Sequence, residues 1–275
     1  MTQGPHYREG KWAVSPYNYD AKVNAGKHMP KKVQLLDLTL REGRQVEGVS
    51  LRIEDVLEYA RRADAVGIEV IEMHHDEPEE IRQVKKLGLN LKIQALVHPT
   101  SSLNPKTCAE EVEHLISDGA DIICLSVVGS DYNFGLVESL AGMKLSREEY
   151  LNITCEGVRH AKKKGACVNA IVTDFSRMDI EWLKTITGRL AEAGVDILRL
   201  DDICAPCKPA VYQNHAWEVK QTIGSIPLAI HSHNDFDLGL AGQPAGKPHD
   251  VQFHPAFLLI RDARLRILAL AQAPT

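Results

Sequence analysis

Residues 182–200 read WLKTITGRLAEAGVDILRL, and this phrase with its recurrences decides the fold. Trp182, Leu183, Ile186 and Leu190 fall at helical spacing and form one apolar stripe. Gly194 follows, a residue that enters the left-handed conformation closing a helix without steric cost. A short run with strand character then occupies 196–200. The same order of amphipathic run, glycine and short β-branched run recurs at Gly67, Gly88, Gly119 and Gly165. It predicts strands over 68–73, 91–97, 121–127, 167–172 and 196–200. A strand over 33–37 opens the series, and one over 228–231 continues it after Gly224. Val56, Tyr59, Ala60 and Ala63 share a further helical stripe, and Ser146 with Glu149 forms a capping box before a helix through 150–164.

Strand and helix alternating seven times with short links imply parallel strands joined by helical crossovers. A closed (β/α)8 TIM barrel and an open doubly wound sheet both fit. The number of units and an extent of ~250 residues favour the barrel, and no GxGxxG opens the first helix as a dinucleotide-binding sheet would require. Residues 1–32, with Pro5, Pro16, Asn18 and Pro30, read as an extended N-terminal arm. Residues 33–241 carry the barrel, and 242–275 form a divergent C-terminal segment and an atypical or incomplete eighth unit.

Composition bounds the function. The chain has 275 residues, 44% of them apolar and 25% charged, which excludes disordered and collagen-like classes. The 32 Lys and Arg against 37 Asp and Glu give a net charge of −5, without the broad basic surface of a nucleic-acid binder. No apolar run approaches the ~20 residues that cross a bilayer, and residues 1–14 lack the pattern of a secretory signal. A soluble cytoplasmic protein is the expectation. The six cysteines read as reduced thiols, with Cys204 and Cys207 only a weak metal or redox pair because no second CxxC follows.

Polar residues gather where the strands end, the face on which such barrels do chemistry. Asp37, Thr39, Arg41, Glu42 and Gln45 follow the first strand; Glu72, His74 and His75 end the second; His98 ends the third. Ser126, Ser130 and Asp131 follow the fourth, Asp174, Ser176 and Arg177 the fifth, and Asp201 and Asp202 the sixth. The seventh ends in His231-Ser-His233-Asn234-Asp235. Two residues apart on an extended segment, His231 and His233 face one way and can approach one point. Two imidazoles with a carboxylate suit a divalent cation acting as a Lewis acid.

The stretch Asp37-Leu-Thr39-Leu-Arg41-Glu42-Gly43-x-Gln45 resembles the D-x-T-L-R-[DE]-G-x-Q signature of the DRE-TIM metallolyases. His231-x-His233-Asn234-Asp235 resembles that superfamily's H-x-H-N-D motif. Its members include isopropylmalate, citramalate and homocitrate synthases, hydroxymethylglutaryl-CoA lyase, hydroxy-oxovalerate aldolase and the carboxyltransferase domain of pyruvate carboxylase. The resemblance, running over 32–241, implies Glu42, His231 and His233 as metal ligands and Arg41 and Glu72 as catalytic residues. It places Gln45, His98 and Asn234 at the substrate. It further implies a divalent metal (Mg, Mn or Zn), acetyl-CoA as cosubstrate, a 2-oxo acid as acceptor and a homodimer. Glutamate after Arg41 is similar to homocitrate synthases, which points to Claisen condensation. His74, His75 and His98 are positional candidates for the general base.

The sequence departs from that pattern in three places. Asp202-Ile203-Cys204-Ala205 stands where the family has Asp-Thr-x-Gly, and Asp237 stands where a glycine is usual, so that its charged side chain is expected to strain the loop. Beyond Ala241, two prolines and two glycines within 242–248 disfavour the seventh helix. A substitute eighth strand is expected within 250–259 and an amphipathic helix over 256–270. A carbon–carbon lyase or aldolase, and a non-catalytic truncated member, are the alternatives to a condensing acyltransferase.

Overall fold

The computed structural model describes residues 4–23, 34–142, 145–245 and 253–256. The predicted strands form and lie side by side in chain order: β1 (Gln34–Asp37), β2 (Val70–Met73), β3 (Lys92–Leu96), β4 (Ile122–Val128), β5 (Cys167–Thr173), β6 (Ile197–Asp202) and β7 (Leu228–Ser232). Every neighbouring pair is parallel. An eighth strand, β8 (Phe253–Ala256), pairs with β1 over four positions and with β7 at Ala229, closing the barrel. It falls inside the window expected for a substitute strand. The helix expected over 256–270 lies outside the described residues. Near the N-terminus, Tyr7–Arg8 and Trp12–Ala13 make a small antiparallel ladder.

Helices α1 (Ile53–Ala65), α2 (Pro78–Lys86), α3 (Pro105–Asp118), α4 (Asp131–Ala141), α5 (Arg147–Lys163), α6 (Ile180–Ala193), α7 (Pro209–Ile223) and α8 (Gly239–Ala245) make the outer ring. The glycines that set the punctuation adopt positive φ, among them Gly119 at 105° and Gly194 at 97°, where a side chain would strain the backbone. The Ser146–Glu149 capping box forms. The segment read as unable to form the seventh helix is partly helical, as α8. Its Gly242 serves packing, since a Cβ there would stand 2.6 Å from the Tyr212 ring on α7.

The period of two along each strand sorts the side chains. Ile71, Ile93, Ile123, Val168, Leu198 and Leu228 face outward and share one buried cluster with Ala60, Ile81, Val112, Val158, Ile186 and Val219 of the helices. The alternate residues fill the barrel. Leu36, Leu38, Val70 and Ile122 form one interior layer, and Leu96, Cys124 and Ile171 another.

This alternation corrects the expectation that every polar strand end faces the mouth. Asp37 lies on the outward side and is hydrogen-bonded by Tyr59 of α1 and by Thr39. Asp202 also turns outward: Oδ2 accepts from Tyr212 Oη at 2.7 Å, and Oδ1 accepts the Ala205 N–H at 2.9 Å. Asp201, one residue earlier, faces in.

Candidate metal centre

The backbone after β1 tightens at once. Arg41 and Glu42 N–H groups both bond to Leu38 O, at 3.1 and 2.8 Å, and Thr39 is held by Asp37. This turn drives two adjacent charged side chains into the barrel mouth, where both are buried. From the other side of the closing strand, His231 is the last residue but one of β7 and His233 follows the strand, its N–H bonded to Asp202 O at 2.9 Å. Glu42, His231 and His233 present donor atoms that all lie within 4.8 Å of one another. Glu42 Oε1 is 4.0 Å from His231 Nε2, and the two imidazole rings stand at 83° with centroids 5.1 Å apart.

This donor set fits a divalent ion. Two imidazoles and one carboxylate converge, and three protein ligands leave coordination positions for other groups. Burial, then the nearby Arg199, His233 and Arg41, hold His231 well below the usual imidazole range, so it is neutral near pH 7, the form that ligates a metal.

Arg41 is clamped beside these donors. Its Nη1 lies 2.5 Å from Glu42 Oε1, and its Nε donates to Glu72 Oε1 at 2.5 Å. Beneath it lies a polar network that sequence reasoning missed. Arg199 on β6 is fully buried, donating through Nη1 to Glu72 Oε2 at 2.7 Å and through Nε and Nη2 to both Asp201 oxygens, at 2.8 and 3.0 Å. Gln94 on β3 donates to Glu72 and accepts from Asn169 of β5 at 2.9 Å. Burial would raise the Glu72 carboxyl, but Arg199 and Arg41 outweigh it and bring it down to about 2. The signal was present: Gln94, Asn169 and Arg199 are polar residues in the middle of strands buried on both faces.

The three expected substrate contacts fare differently. Gln45 is exposed in the turn after Glu42. The Asn234 side chain braces its own loop, accepting the Gly239 N–H at 3.0 Å and donating to Asp237 Oδ1 at 3.1 Å. His98 packs edge-on against His75 at 4.5 Å between centroids, and its Nδ1 accepts the Thr100 N–H at 3.1 Å. At the fifth strand end, Asp174 accepts from Ser130 and from Arg177 Nε, so its carboxylate is used within the loops. Asp237, anticipated as a strained position, has φ 58°, in the left-handed region.

Gly239 lies against the carbonyl of His233, and a Cβ there would overlap that backbone oxygen. Gly239→Ala is therefore expected to displace His233 and weaken divalent-ion affinity about tenfold, with the fold retained. Calorimetric titration with circular dichroism checks this; unchanged affinity would separate the loop from the site.

Residues 32–246 match the HMGL-like family model. Homocitrate synthase AksA of Methanothermobacter thermautotrophicus is 28% identical over 86% of this chain and 57% of its own length. The 2-isopropylmalate synthase of Methanocaldococcus jannaschii is 27% identical over 79% of this chain and 40% of its own length. The chain thus spans about half the length of the curated relatives it matches. Among solved structures, the HMG-CoA lyase of Bacillus subtilis superposes with a TM-score of 0.70 at 18% identity, covering 83% of this chain and 77% of that one. The carboxyl transferase domain of Rhizobium etli pyruvate carboxylase does so with 0.67 at 16% identity, covering 82% and 40%. These are likenesses of fold. With the family model covering most of its length, the chain belongs to the HMGL-like family, the DRE-TIM group of enzymes.

Proposed function

We propose that this chain catalyses the metal-dependent condensation of acetyl-CoA with a 2-oxo acid, as an acyltransferase of the isopropylmalate and homocitrate synthase kind. The observation that carries this reading is the convergence of Glu42, His231 and His233 with Arg41 locked alongside them. The names of the similar relatives, homocitrate synthase and 2-isopropylmalate synthase, favour condensation.

Glu42, His231 and His233 would hold a divalent ion (Mg, Mn or Zn), which when bound supplies Lewis-acid polarisation of the substrate carbonyl. Arg41 supplies fixed positive charge at the same mouth. With Nε held by Glu72 and Nη1 by Glu42, the guanidinium is set before substrate arrives. It stabilises a developing alkoxide at little reorganisation cost. Burial opposes its charge, but Glu72 and Glu42 raise its pKa, so it stays protonated. Gln94, Arg199 and Asp201 act through Glu72 as positioning residues.

The test is incubation of the full chain with Mg, Mn or Zn, acetyl-CoA and a panel of 2-oxo acids, following release of free CoA thiol. Thiol release that depends on both the metal and one 2-oxo acid is expected. Arg41→Lys, which loses the planar fork gripping two carboxylates, is expected to lower kcat about a hundredfold with KM little changed. Metal binding without thiol release for any acceptor would overturn the condensation. Cleavage of a hydroxyacyl-CoA under the same conditions would favour the lyase instead.

A further inference from the structure

Among the described residues, a second group of metal-type donors lies at the end of β2: His74, His75 and Asp76, with ligand atoms within 4.8 Å of one another. We infer that it is a second cation site, distinct from the Glu42–His231–His233 centre and suited to a borderline transition ion such as Zn²⁺, Co²⁺ or Ni²⁺. Three features of the fold support it. The His75 side chain is only 10% exposed, yet both ring nitrogens are buried without a hydrogen bond; Nε2 stands 3.0 Å from Asp76 Oδ1, badly aligned for one. Leaving two polar atoms so placed is costly unless something else satisfies them.

The turn also orders the donors. The His74 ring stacks on His75 at 4.3 Å between centroids, and His74 Nδ1 accepts the Asp76 N–H at 3.3 Å while lying 3.4 Å from Asp76 Oδ2. All three donors therefore come from consecutive residues of one turn, and little chain entropy is lost in gathering them.

Finally, His75 and Asp76 open onto a groove of about 720 Å³ between α2 and α3, lined further by Glu110, Glu111, His114 and Asp118. Arg82 is the cation on its wall and is paired with Asp118, while Lys106 approaches Glu110 at 3.8 Å. Carboxylates dominate this route, which attracts a cation and disfavours the phosphates of a coenzyme. Imidazole donors select borderline ions over magnesium.

The proposal is independent of the condensation reading, and one experiment separates them. The chelator-stripped 275-residue chain is titrated calorimetrically with Zn²⁺, and Co²⁺ absorption reports imidazole ligation. Wild type is expected to bind two ions, and His75→Gln and His231→Asn one each. Asp76→Asn, at a carboxylate 64% exposed and safe for folding, is expected to weaken the second ion about tenfold. A single ion in wild type that His231→Asn removes would overturn this site and leave the condensation reading standing. Two ions retained in folded His75→Gln, or unchanged affinity in Asp76→Asn, would also overturn it. A single ion lost only in His75→Gln would support this site and sink the other.

Discussion

Replacing Glu42 by Ala, or His231 by Asn, is expected to remove one equivalent of divalent ion and lower turnover about a thousandfold or more. Each change deletes a donor from a three-ligand set, and the loss should exceed the 10–100-fold typical of the residues that merely orient such ligands. Glu42→Ala does further damage, because Glu42 Oε1 is also the anchor of Arg41 Nη1 at 2.5 Å. The freed guanidinium would then be held by Glu72 alone on that side. Elemental analysis of the purified variants, with circular dichroism as the folding control, reads the outcome. Full metal content in folded Glu42→Ala and His231→Asn would show that these side chains do not share an ion.

Glu72→Ala is expected to destabilise the barrel by about 3–5 kcal/mol, the range for breaking a buried ion pair by removing one partner. For a chain of this size that lowers the melting temperature on the order of 10 °C. The deletion leaves two buried guanidiniums, Arg41 and Arg199, facing each other's charge with only Glu42 and Asp201 to balance them. Gln94 also loses its acceptor, which propagates the defect to Asn169. The pH dependence carries a definite sign. The Glu72 carboxyl sits at about 2 in the folded chain against an ordinary value near 4.5, so the folded state binds fewer protons between those values. The stability it contributes is fully present above about pH 4.5 and is lost as pH falls toward 2. Denaturant melts across that window should be steep in wild type and flatter in Glu72→Gln. Equal slopes would show that the two arginines do not hold this carboxylate.

Part of the site was legible because its signals are local. Arg41 and Glu42 sit in a turn fixed by hydrogen bonds spanning at most four residues. Asn234, by contrast, was read as facing substrate, yet its amide meets Gly239 and Asp237 within its own loop. A short polar side chain in a turn has a competing backbone partner close at hand, and that choice leaves no periodic trace. Asp237 was legible as strain because it stands where the resembling family has a glycine, and its left-handed φ of 58° shows why a side chain is costly there.

What the sequence determined by itself was the order of strands and helices, the glycine stops between them, and the shared facing of His231 and His233. Each follows from steric preferences and periodicities acting within a dozen residues. The tertiary structure alone decided that Asp201 looks into the barrel while Asp202 looks out to Tyr212, and that Arg199 lies between Glu72 and Asp201. It alone brought Glu42 to within 4.0 Å of His231, across a closing strand at Phe253–Ala256 that pairs with both β1 and β7. Those outcomes depend on stagger and packing between segments far apart in the chain, where a shift of one residue exchanges the inner face for the outer.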